Sequence, residues 1–267
     1  MNLSMFRYPG SKGKLLPIIM EYLNPLIQKH NSFIDVFVGG GSVLLEVAQK
    51  YPKIKLYAND KDYWMYCFWS IVAGNDSNKL NSLLNMVGCQ PTLELFYKLR
   101  EIKTKDDVEC AYRAIFFNRC CFSGILSSGP IGGKNQKSKY TVDCRYNSNK
   151  LKEKILQCHS LLKDRTQVDN KDVIHYEQLN LTNEPAYLDP PYIEAGKSLY
   201  FEYMSKDEHK YLGYILSDRK NWVLSYDDCA EIRYIYSKKS IIDLPARYCI
   251  NGKKNNWESK NELIIIP

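Results

Sequence analysis

The chain of 267 residues has few histidines and no regular cysteine framework. Its four histidines, at positions 30, 159, 175 and 209, are dispersed, and its nine cysteines form no Cys-x-x-Cys pair. Zinc sites need clustered ligands of these two types, whereas disulfide scaffolds are short chains with regular cysteine spacing. The sequence therefore predicts reduced thiols, no metal site and a cytoplasmic location.

Long apolar segments are missing as well. No stretch approaches the roughly 20 apolar residues that a membrane-spanning helix requires, and the first 16 residues carry early charges, unlike a signal peptide. Hydrophobic residues nevertheless make up 45% of the chain, which is enough for a full core. We expect a folded protein with no membrane span, built as one large α/β domain or as one domain with an insert.

The charge balance is modestly basic, with a formal net charge of +7. A lysine-rich solvated surface explains such an excess. A polyanionic partner explains it equally well, because lysines supply sequence-independent affinity for phosphates. Charge alone does not choose between these two interpretations.

A glycine-rich loop follows the first predicted strand. The run from Ser32 to Val38 is apolar and β-branched, Gly39-Gly40-Gly41-Ser42 comes next, and Val43 to Ala48 has helical periodicity. Strand, glycine loop and helix form the nucleotide-binding start of a doubly wound sheet. Leu44 replaces the third glycine of the dinucleotide fingerprint, so a smaller anion such as a carboxylate is favoured over a pyrophosphate.

Two further segments are candidates for the same ligand. Asp60 ends the second strand pattern, Ile54–Ala58, about 20 residues past the glycine loop, where an acid binds a ribose diol in such folds. Capping the next helix is the alternative role for Asp60. Lys12, in the turn-rich loop from Phe6 to Lys14, could hold an anionic group or be a solvated lysine. The spacing of a P-loop is absent.

A stiff turn follows the strand pattern that ends at Leu188. Pro190 and Pro191 forbid both helix and ladder hydrogen bonding, so the chain leaves the sheet in a fixed direction. The turn brings together the Asp189 carboxylate, the Pro190 carbonyl and the Tyr192 ring. Two acceptors and a stacking face suit a flat aromatic amine. An ordinary proline-rich turn, with Tyr192 packed in the core, is the alternative.

The alternation of strands and helices is interrupted between Asp62 and Asn147. A loop rich in glycine, serine, lysine and asparagine ends this region at Tyr146. Its cations, amides and aromatics suit phosphate contacts and base stacking, although a long basic loop can equally be solvated surface. Four helical patterns precede the loop without clear strands between them: Tyr63–Val72, Leu80–Met86, Leu93–Ile102 and Val108–Phe117.

Strand patterns resume in the last part of the chain. Asp172 precedes one of them, as an acid able to meet an adenine amino group or as a plain turn residue. The sequence predicts an α/β fold with a mostly parallel sheet, flanking helices and a C-terminal antiparallel hairpin. The predicted main domain spans 1–61 and 148–267, and the mainly helical insert spans 62–147. The late strand patterns are Thr166–Val168, Val173–Tyr176, Trp222–Tyr226, Ile241–Leu244 and Leu263–Ile266.

Four motifs stand in a specific order along the chain: Tyr8-Pro9-Gly10-Ser11-Lys12, Phe37-Val38-Gly39-Gly40-Gly41-Ser42, Asn59-Asp60 and Asp189-Pro190-Pro191-Tyr192. Weaker matches are Phe117-Asn118-Arg119, Trp222–Tyr226 and Asn261-Glu262-Leu263-Ile264. With its glycine loop before the catalytic motif and an insert between them, the chain resembles the Dam-like, D12-class DNA N6-adenine methyltransferases of alpha-group motif order. The resemblance covers most of the chain.

The resemblance implies a Rossmann-like, S-adenosylmethionine-dependent methyltransferase that leaves S-adenosylhomocysteine as its product. The target adenine would be flipped out of the duplex, because its N6 cannot be reached inside the base stack. Asp189 and the Pro190 carbonyl would accept from N6, and Tyr192 would stack on the base, with Pro191 completing the catalytic turn. The implied cofactor contacts are Tyr8, Lys12, Phe37, Gly39, Gly41, Asp60, Asp172 and Asp189.

The resemblance also implies that the insert recognises double-stranded DNA. Family members that read GATC carry a basic residue after the turn matching Ser123-Gly124, whereas this chain continues with Ile125-Leu126-Ser127-Ser128. No arginine is there to bind guanine, so a different recognition sequence is expected. We expect a monomer, with a cognate restriction endonuclease as candidate partner. The implied DNA contacts are Asn118, Arg119, Phe122, Ser123, Ile125, Lys139, Arg145 and Tyr146.

Other activities remain open from the sequence. N4-cytosine methylation presents a similar amine, although its motif usually begins with serine rather than Asp189, and RNA adenine presents the same amine. A DNA-binding module that keeps the cofactor fold without turnover is a third alternative, which the intact Asp189 and Tyr192 disfavour.

Overall fold

The computed structural model describes residues 3–7, 12–176, 179, 182–193, 203–244 and 261–267. Within these residues, seven strands form one sheet in the order β3-β2-β1-β4-β5-β7-β6. The strands are β1 (Ser32–Asp35), β2 (Lys55–Asn59), β3 (Thr166–Asp169), β4 (Ala186–Leu188), β5 (Trp222–Asp227), β6 (Ser240–Leu244) and β7 (Glu262–Ile266).

The five strands β1 to β5 are parallel, and β7 runs in the opposite direction between β5 and β6. β1 pairs with both β2 and β4, while β7 pairs antiparallel with β5 and with β6. This arrangement confirms the predicted mostly parallel sheet with a C-terminal hairpin. The strand order reverses between β1 and β4, and a crevice opens there at the carboxyl ends of the strands.

Helices cover both faces of the sheet and fill the predicted insert. Most begin at a polar side chain that accepts backbone N–H groups; Asp62, for example, caps α3 through Trp64 N and Met65 N. None of the helices among the described residues has the length and apolar character needed to cross a bilayer. The helices are α1 (Leu16–Ile27), α2 (Ser42–Lys50), α3 (Tyr63–Ala73), α4 (Ser77–Gly88), α5 (Leu93–Glu101), α6 (Asp107–Cys120), α7 (Ser148–Leu162), α8 (Lys206–Ile215) and α9 (Ala230–Ile235).

The core consists of two apolar clusters separated by the sheet. Successive strand residues point to opposite faces, so Phe33 belongs to one cluster and Ile34 to the other. The first cluster continues without interruption into the insert, where it includes Phe68 and Phe116. The insert helices therefore pack directly on the layer that covers the sheet. The domain division at residues 62 and 147 stays a prediction.

Two predicted strands differ from the observed ones. β1 ends at Asp35 instead of Val38, because the chain turns into the glycine loop three residues earlier. Val173–His175 is a short 3-10 turn instead of an extended segment. Asp172 explains that turn, since its side chain accepts from Ile174 N and bends the backbone.

Candidate active site

A pocket opens at the carboxyl ends of β1, β2 and β4, at the point where the strand order reverses. It is lined by the glycine loop, the ends of the first two strands and the turn after β4. Seven of the eight predicted cofactor contacts line it, and the eighth, Tyr8, lies outside the described residues. The seven are Lys12, Phe37, Gly39, Gly41, Asp60, Asp172 and Asp189.

The glycine loop has two glycines in left-handed conformations, with φ of 42° at Gly39 and 68° at Gly41. A Cβ at Gly39 would meet only the Phe37 carbonyl oxygen, at 3.9 Å, so this glycine leaves room for a ligand. A Cβ at Gly41 would lie 2.4 Å from the Trp69 ring. Trp69 Nε1 also donates to the Gly39 carbonyl oxygen at 2.8 Å. Trp69, which the sequence motifs did not identify, therefore fixes the loop from behind.

A buried acid, Asp35, stands at the end of β1 beneath this loop. Its Oδ2 accepts from Leu44 N at 3.1 Å, and its buried Oδ1 has no hydrogen-bond partner among the described residues. Burial, with the nearby charge of Asp189, raises the pKa of Asp35 to about 8. An acid with an unused oxygen facing a pocket suits a cationic group of a ligand. Asp35 also takes one helix N–H that we expected to serve a ligand anion.

Asp60 connects the end of β2 to the glycine loop. Its Oδ2 accepts from Gly39 N at 2.8 Å and its Oδ1 from Asp62 N at 3.0 Å. The cap of α3 is Asp62, so the helix-capping alternative for Asp60 does not apply. Asp60 thus joins the end of β2 to the glycine loop and to the start of α3, and it lines the pocket.

Asp172 lies on the other side of the pocket and pairs with a lysine. Its Oδ2 is 2.8 Å from Lys61 Nζ, and the same ammonium is 4.0 Å from Glu208. Burial, the largest single influence, would raise the pKa of Asp172, but the hydrogen bonds from Lys61 and Ile174 N and the charges of Lys61 and His175 together lower it. Asp172 therefore remains ionised, as an acceptor for an amino group requires.

The turn after β4 presents Asp189 with one oxygen occupied and one available. Its Oδ1 is 2.9 Å from Lys12 Nζ and accepts from Ser225 Oγ at 3.0 Å. Its Oδ2 receives no hydrogen bond from the described part of the chain. Ser225, on β5, is itself 2.7 Å from the Tyr187 hydroxyl, so two buried side chains fix the carboxylate from below.

Tyr192 completes the turn, and its hydroxyl group lies among charges. The hydroxyl donates to Glu262 Oε2 at 2.7 Å and accepts from Lys12 Nζ at 2.5 Å. Lys12 Nζ is 4.9 Å from the ring centroid and therefore lies at the hydroxyl end of the ring. The ammonium does not cover the middle of the ring face, where a base would stack.

Comparison with known families agrees with this geometry. A family model for the D12 class N6 adenine-specific DNA methyltransferases matches residues 8–250. The chain belongs to this family. It is therefore a site-specific DNA adenine methyltransferase, as the order of its motifs predicted, and DNA is its substrate.

Curated relatives point the same way. Type II methyltransferase M.MjaIII of Methanocaldococcus jannaschii is 27% identical over 217 residues, covering 75% of this chain and 72% of its own. M.CviBI of Paramecium bursaria Chlorella virus NC1A is 22% identical, covering 72% and 70%. M1.LlaDCHI of Lactococcus lactis subsp. cremoris is 26% identical, covering 75% and 69%. These two relatives are likewise Type II methyltransferases.

Three of the methyltransferase's predicted DNA contacts hydrogen-bond to the protein's own backbone, and two of them, Asn118 and Tyr146, are buried. Asn118 is fully buried; it accepts from Arg7 N at 2.6 Å and donates to the carbonyl oxygens of Arg7 and Gly124. Arg119 donates to the Met5 carbonyl oxygen, and Tyr146 donates to that of Val87 at 3.1 Å. In contrast to the prediction, these side chains hold backbone segments of the protein together.

The other five predicted DNA contacts lie at or near the surface. Phe122 is 67% exposed, Ser123 is exposed in a left-handed conformation with φ of 56°, and Ile125 is half-buried. Lys139 and Arg145 are exposed on either side of Tyr140, with their cationic groups 6.0 Å and 5.9 Å from its ring centroid. These residues remain predicted contacts to DNA.

Proposed function

We propose that the pocket binds S-adenosylmethionine and that the turn from Asp189 to Tyr192 holds a flipped-out adenine beside it. The observation that carries this proposal is the Oδ2 of Asp189, which receives no hydrogen bond from the described residues and lies at the edge of a pocket lined by the glycine loop. Asp189 and Pro191 line one side of the pocket, and Pro190 and Tyr192 belong to the same turn. Acids and open glycine backbone line the other side.

The residues of the pocket fit an adenosyl group joined to an amino acid. Asp60 would bind the ribose hydroxyls, and Asp172, kept ionised by Lys61, would accept from the cofactor's adenine amino group. Asp35 would hold the ammonium of the methionine part, because its buried Oδ1 has unused acceptor capacity. Gly39 leaves open space for the chain between them. S-adenosylmethionine, when bound, supplies an electrophilic methyl group.

The catalytic turn would position the target amine. Asp189 Oδ2 and the Pro190 carbonyl accept from N6 and orient its lone pair toward the methyl group, while Tyr192 stacks on the base. Ser225 and Lys12 hold Asp189 in place through Oδ1, so the carboxylate is preorganised before DNA arrives. Positioning and electrostatics supply the rate in such a transfer, and no covalent enzyme intermediate is needed.

The insert, residues 62–147, would select the DNA sequence. Phe122 is presented as an exposed aromatic ring on a turn that Asn118 ties to the N-terminal segment. Lys139 and Arg145 would contact phosphates near Tyr140. We further propose that the protein acts as a monomer in the cytoplasm with a cognate restriction endonuclease; the Type II names of the relatives support only the endonuclease.

One experiment identifies the methyl donor, the base that is methylated and the atom that receives the methyl group. The protein is incubated with methyl-labelled S-adenosylmethionine and mixed-sequence duplex DNA, and the digested nucleosides are analysed. We expect label on N6-methyladenine alone. Label on N4-methylcytosine, or no transfer to DNA at all, contradicts the proposal. Reading N6-methyladenine by position in the DNA then gives the recognition sequence.

Base flipping has its own measurement. Duplexes carrying 2-aminopurine at the target adenine change fluorescence when the base leaves the stack. We expect a change on binding wild type, and a smaller one with Tyr192→Ala, which removes the stacking ring. Equal signals from 2-aminopurine at the target and at a neighbouring position contradict flipping.

A further inference from the structure

Glu262 is a buried acid next to the catalytic turn that no predicted role accounts for. It is the first residue of β7, it stands opposite Asp227 of β5, and its side chain is only 14% exposed. Its Oε2 accepts from the Tyr192 hydroxyl at 2.7 Å and lies 3.9 Å from Lys12 Nζ. Burying a carboxylate is costly unless it is paired. Both of its partners belong to the active site.

Four groups are connected by these contacts: the side chains of Lys12, Asp189, Tyr192 and Glu262. Lys12 Nζ is 2.9 Å from Asp189 Oδ1 and 2.5 Å from the Tyr192 hydroxyl, which in turn donates to Glu262. One ammonium is thus placed between two carboxylates, with the tyrosine hydroxyl as a bridge. Three segments that are far apart in the sequence meet here: the N-terminal loop, the turn after β4 and the C-terminal hairpin.

We propose that Glu262 is a positioning residue for methyl transfer, which fixes the Tyr192 ring through its hydroxyl and shares the charge of Lys12 with Asp189. This inference rests on the proposed roles of Asp189 and Tyr192. Glu262 touches neither the target base nor the cofactor in this assignment. It acts through two groups that do.

The first effect of Glu262 is on the ring. Tyr192 is half-buried at the end of the turn and packs against the second apolar cluster, with its ring centroid 6.1 Å from that of Tyr226. The charge-assisted hydrogen bond to Glu262 constrains the far end of the ring as well. The stacking face is then presented in one orientation to an incoming base.

The second effect is on the competition for Asp189. Lys12 and the target amine are both donors to the same carboxylate. With Glu262 nearby, the ammonium of Lys12 is held at the hydroxyl end of the ring, 2.9 Å from Asp189 Oδ1 and 3.9 Å from Glu262 Oε2. Without that second acid, Lys12 would be attracted to Asp189 only, and Oδ2 would be less available to the amine.

The same arrangement makes activity sensitive to acid. Burial, with the charges of Asp189 and Asp227, raises the pKa of Glu262, while Lys12 and the Tyr192 hydroxyl oppose that change. These groups face the carboxylate from the N-terminal loop, the catalytic turn and β5. Protonation below the raised pKa removes the negative charge that strengthens the hydrogen bond from Tyr192 and attracts Lys12, so the rate should fall on the acid side.

The test uses Glu262→Gln and Glu262→Ala, with Asp243→Asn as a matched control. Asp243 is an acid on the partner strand β6, exposed and paired with Arg233 away from the turn. Single-turnover methyl transfer, cofactor affinity and 2-aminopurine fluorescence are measured across pH. We expect about a 10- to 100-fold lower rate for Glu262→Ala, the size of one lost charge-assisted hydrogen bond.

Glu262→Gln should lie between the alanine variant and wild type, because its amide oxygen still accepts from Tyr192. It should also lose the acid-side fall in rate, which a purely structural residue would not change. Cofactor affinity should stay within about twofold, since the pocket acids are untouched. Combining Glu262→Ala with Tyr192→Phe should cost little more than either change alone, because both remove the same hydrogen bond.

Two results overturn the inference, and they are distinguishable. If wild type methylates DNA and both Glu262 variants match Asp243→Asn in rate and pH profile, Glu262 has no positioning role and the proposed function stands. If wild type transfers no methyl group, the inference fails together with the proposed function. Should Glu262→Ala not fold, Glu262→Gln alone decides through its rate and pH profile.

Discussion

The catalytic edge and the loop around Phe122 use buried polar side chains in opposite ways. At the catalytic edge, Asp35 and Asp189 are each held through one oxygen while the other oxygen lacks a described hydrogen bond. In the insert, Asn118 uses its side chain entirely on the backbone of Arg7 and Gly124. In the first region an acceptor oxygen remains for the proposed ligand. In the second region the polar side chains hydrogen-bond to the protein's own backbone and fix its conformation.

Arg100 shows the same use of polarity in the insert. Its guanidinium donates to the carbonyl oxygens of Leu126 and Ser128 and lies 4.0 Å from the Phe117 ring centroid. Gly124 packs so closely that an added Cβ would lie 2.1 Å from the Arg7 carbonyl oxygen. The turn is therefore rigid, and the exposed part of it is apolar Phe122. Polar side chains thus serve the proposed ligand binding at the catalytic edge, whereas around Phe122 they stabilise the protein's own structure.

The largest effect is expected from Asp189→Ala at the catalytic edge. Removing the acceptor for the amine should lower methyl transfer by about 10²- to 10³-fold or more, the range seen when one preorganised group is lost. Cofactor affinity, measured by calorimetry, should change much less. An equal loss of cofactor affinity and rate would indicate that Asp189 is a structural residue. Asp189 and Asn118 would then have the same kind of role.

Asn118→Ala should mainly destabilise the protein. It removes three hydrogen bonds from a fully buried position, leaving backbone groups of Arg7 and Gly124 without partners. We expect a loss of about 2–4 kcal/mol in the free energy of unfolding. Urea unfolding measures it, with the exposed Asn75→Ala as control. If the variant keeps full stability but binds DNA more weakly, Asn118 contacts DNA directly, as the resemblance implied.

Asp35→Asn should flatten the pH dependence of stability in the ligand-free protein. The pKa of Asp35 is raised by burial from 3.8 to about 8 in the folded state. Its contribution is therefore full below pH 4 and is lost as pH rises toward 8, with a slope of at most about 1.4 kcal/mol per pH unit. Urea unfolding at several pH values checks this. Identical slopes for variant and wild type would contradict the assignment.

Phe122→Ala should weaken DNA binding without affecting the fold. The ring is exposed, so the free energy of unfolding should stay within about 0.5 kcal/mol of wild type. Loss of one stacking contact should cost about 1–3 kcal/mol of DNA affinity. Fluorescence anisotropy with duplex DNA measures it, and Tyr234→Ala, 81% exposed on α9, is the control. Equal affinities for the two variants would remove Phe122 from the interface.

The smallest effect is expected from Lys139→Ala and Arg145→Ala. Each should reduce the slope of log affinity against log salt by about one, the signature of one lost phosphate contact. Sequence preference should not change. The exposed Lys238→Ala, in the turn between α9 and β6, serves as control. An unchanged slope would show that neither Lys139 nor Arg145 contacts a phosphate and that both are solvated surface residues.

Local patterns in the sequence predicted most of the elements and one side of the site. The glycine loop, Asp60 and the turn from Asp189 to Tyr192 each depend on residues within a few positions of one another. Backbone rules for proline and glycine act at that range, so these predictions did not need the fold. The burial of Asn118 and Tyr146 could not be read the same way, because polar and aromatic residues serve both cores and interfaces.

By itself, the sequence determined the order of strands and helices, the family and the stiff acceptor turn. The tertiary structure decided which polar groups meet. Lys12 and Tyr192 are 180 positions apart, and Tyr192 and Glu262 are 70 apart, yet each pair is within hydrogen-bond distance. Sheet pairing between β5 and β7 brings Glu262 to the turn, and no local pattern encodes that neighbour. Contacts between residues so far apart in the sequence form only when the strands of the sheet have paired.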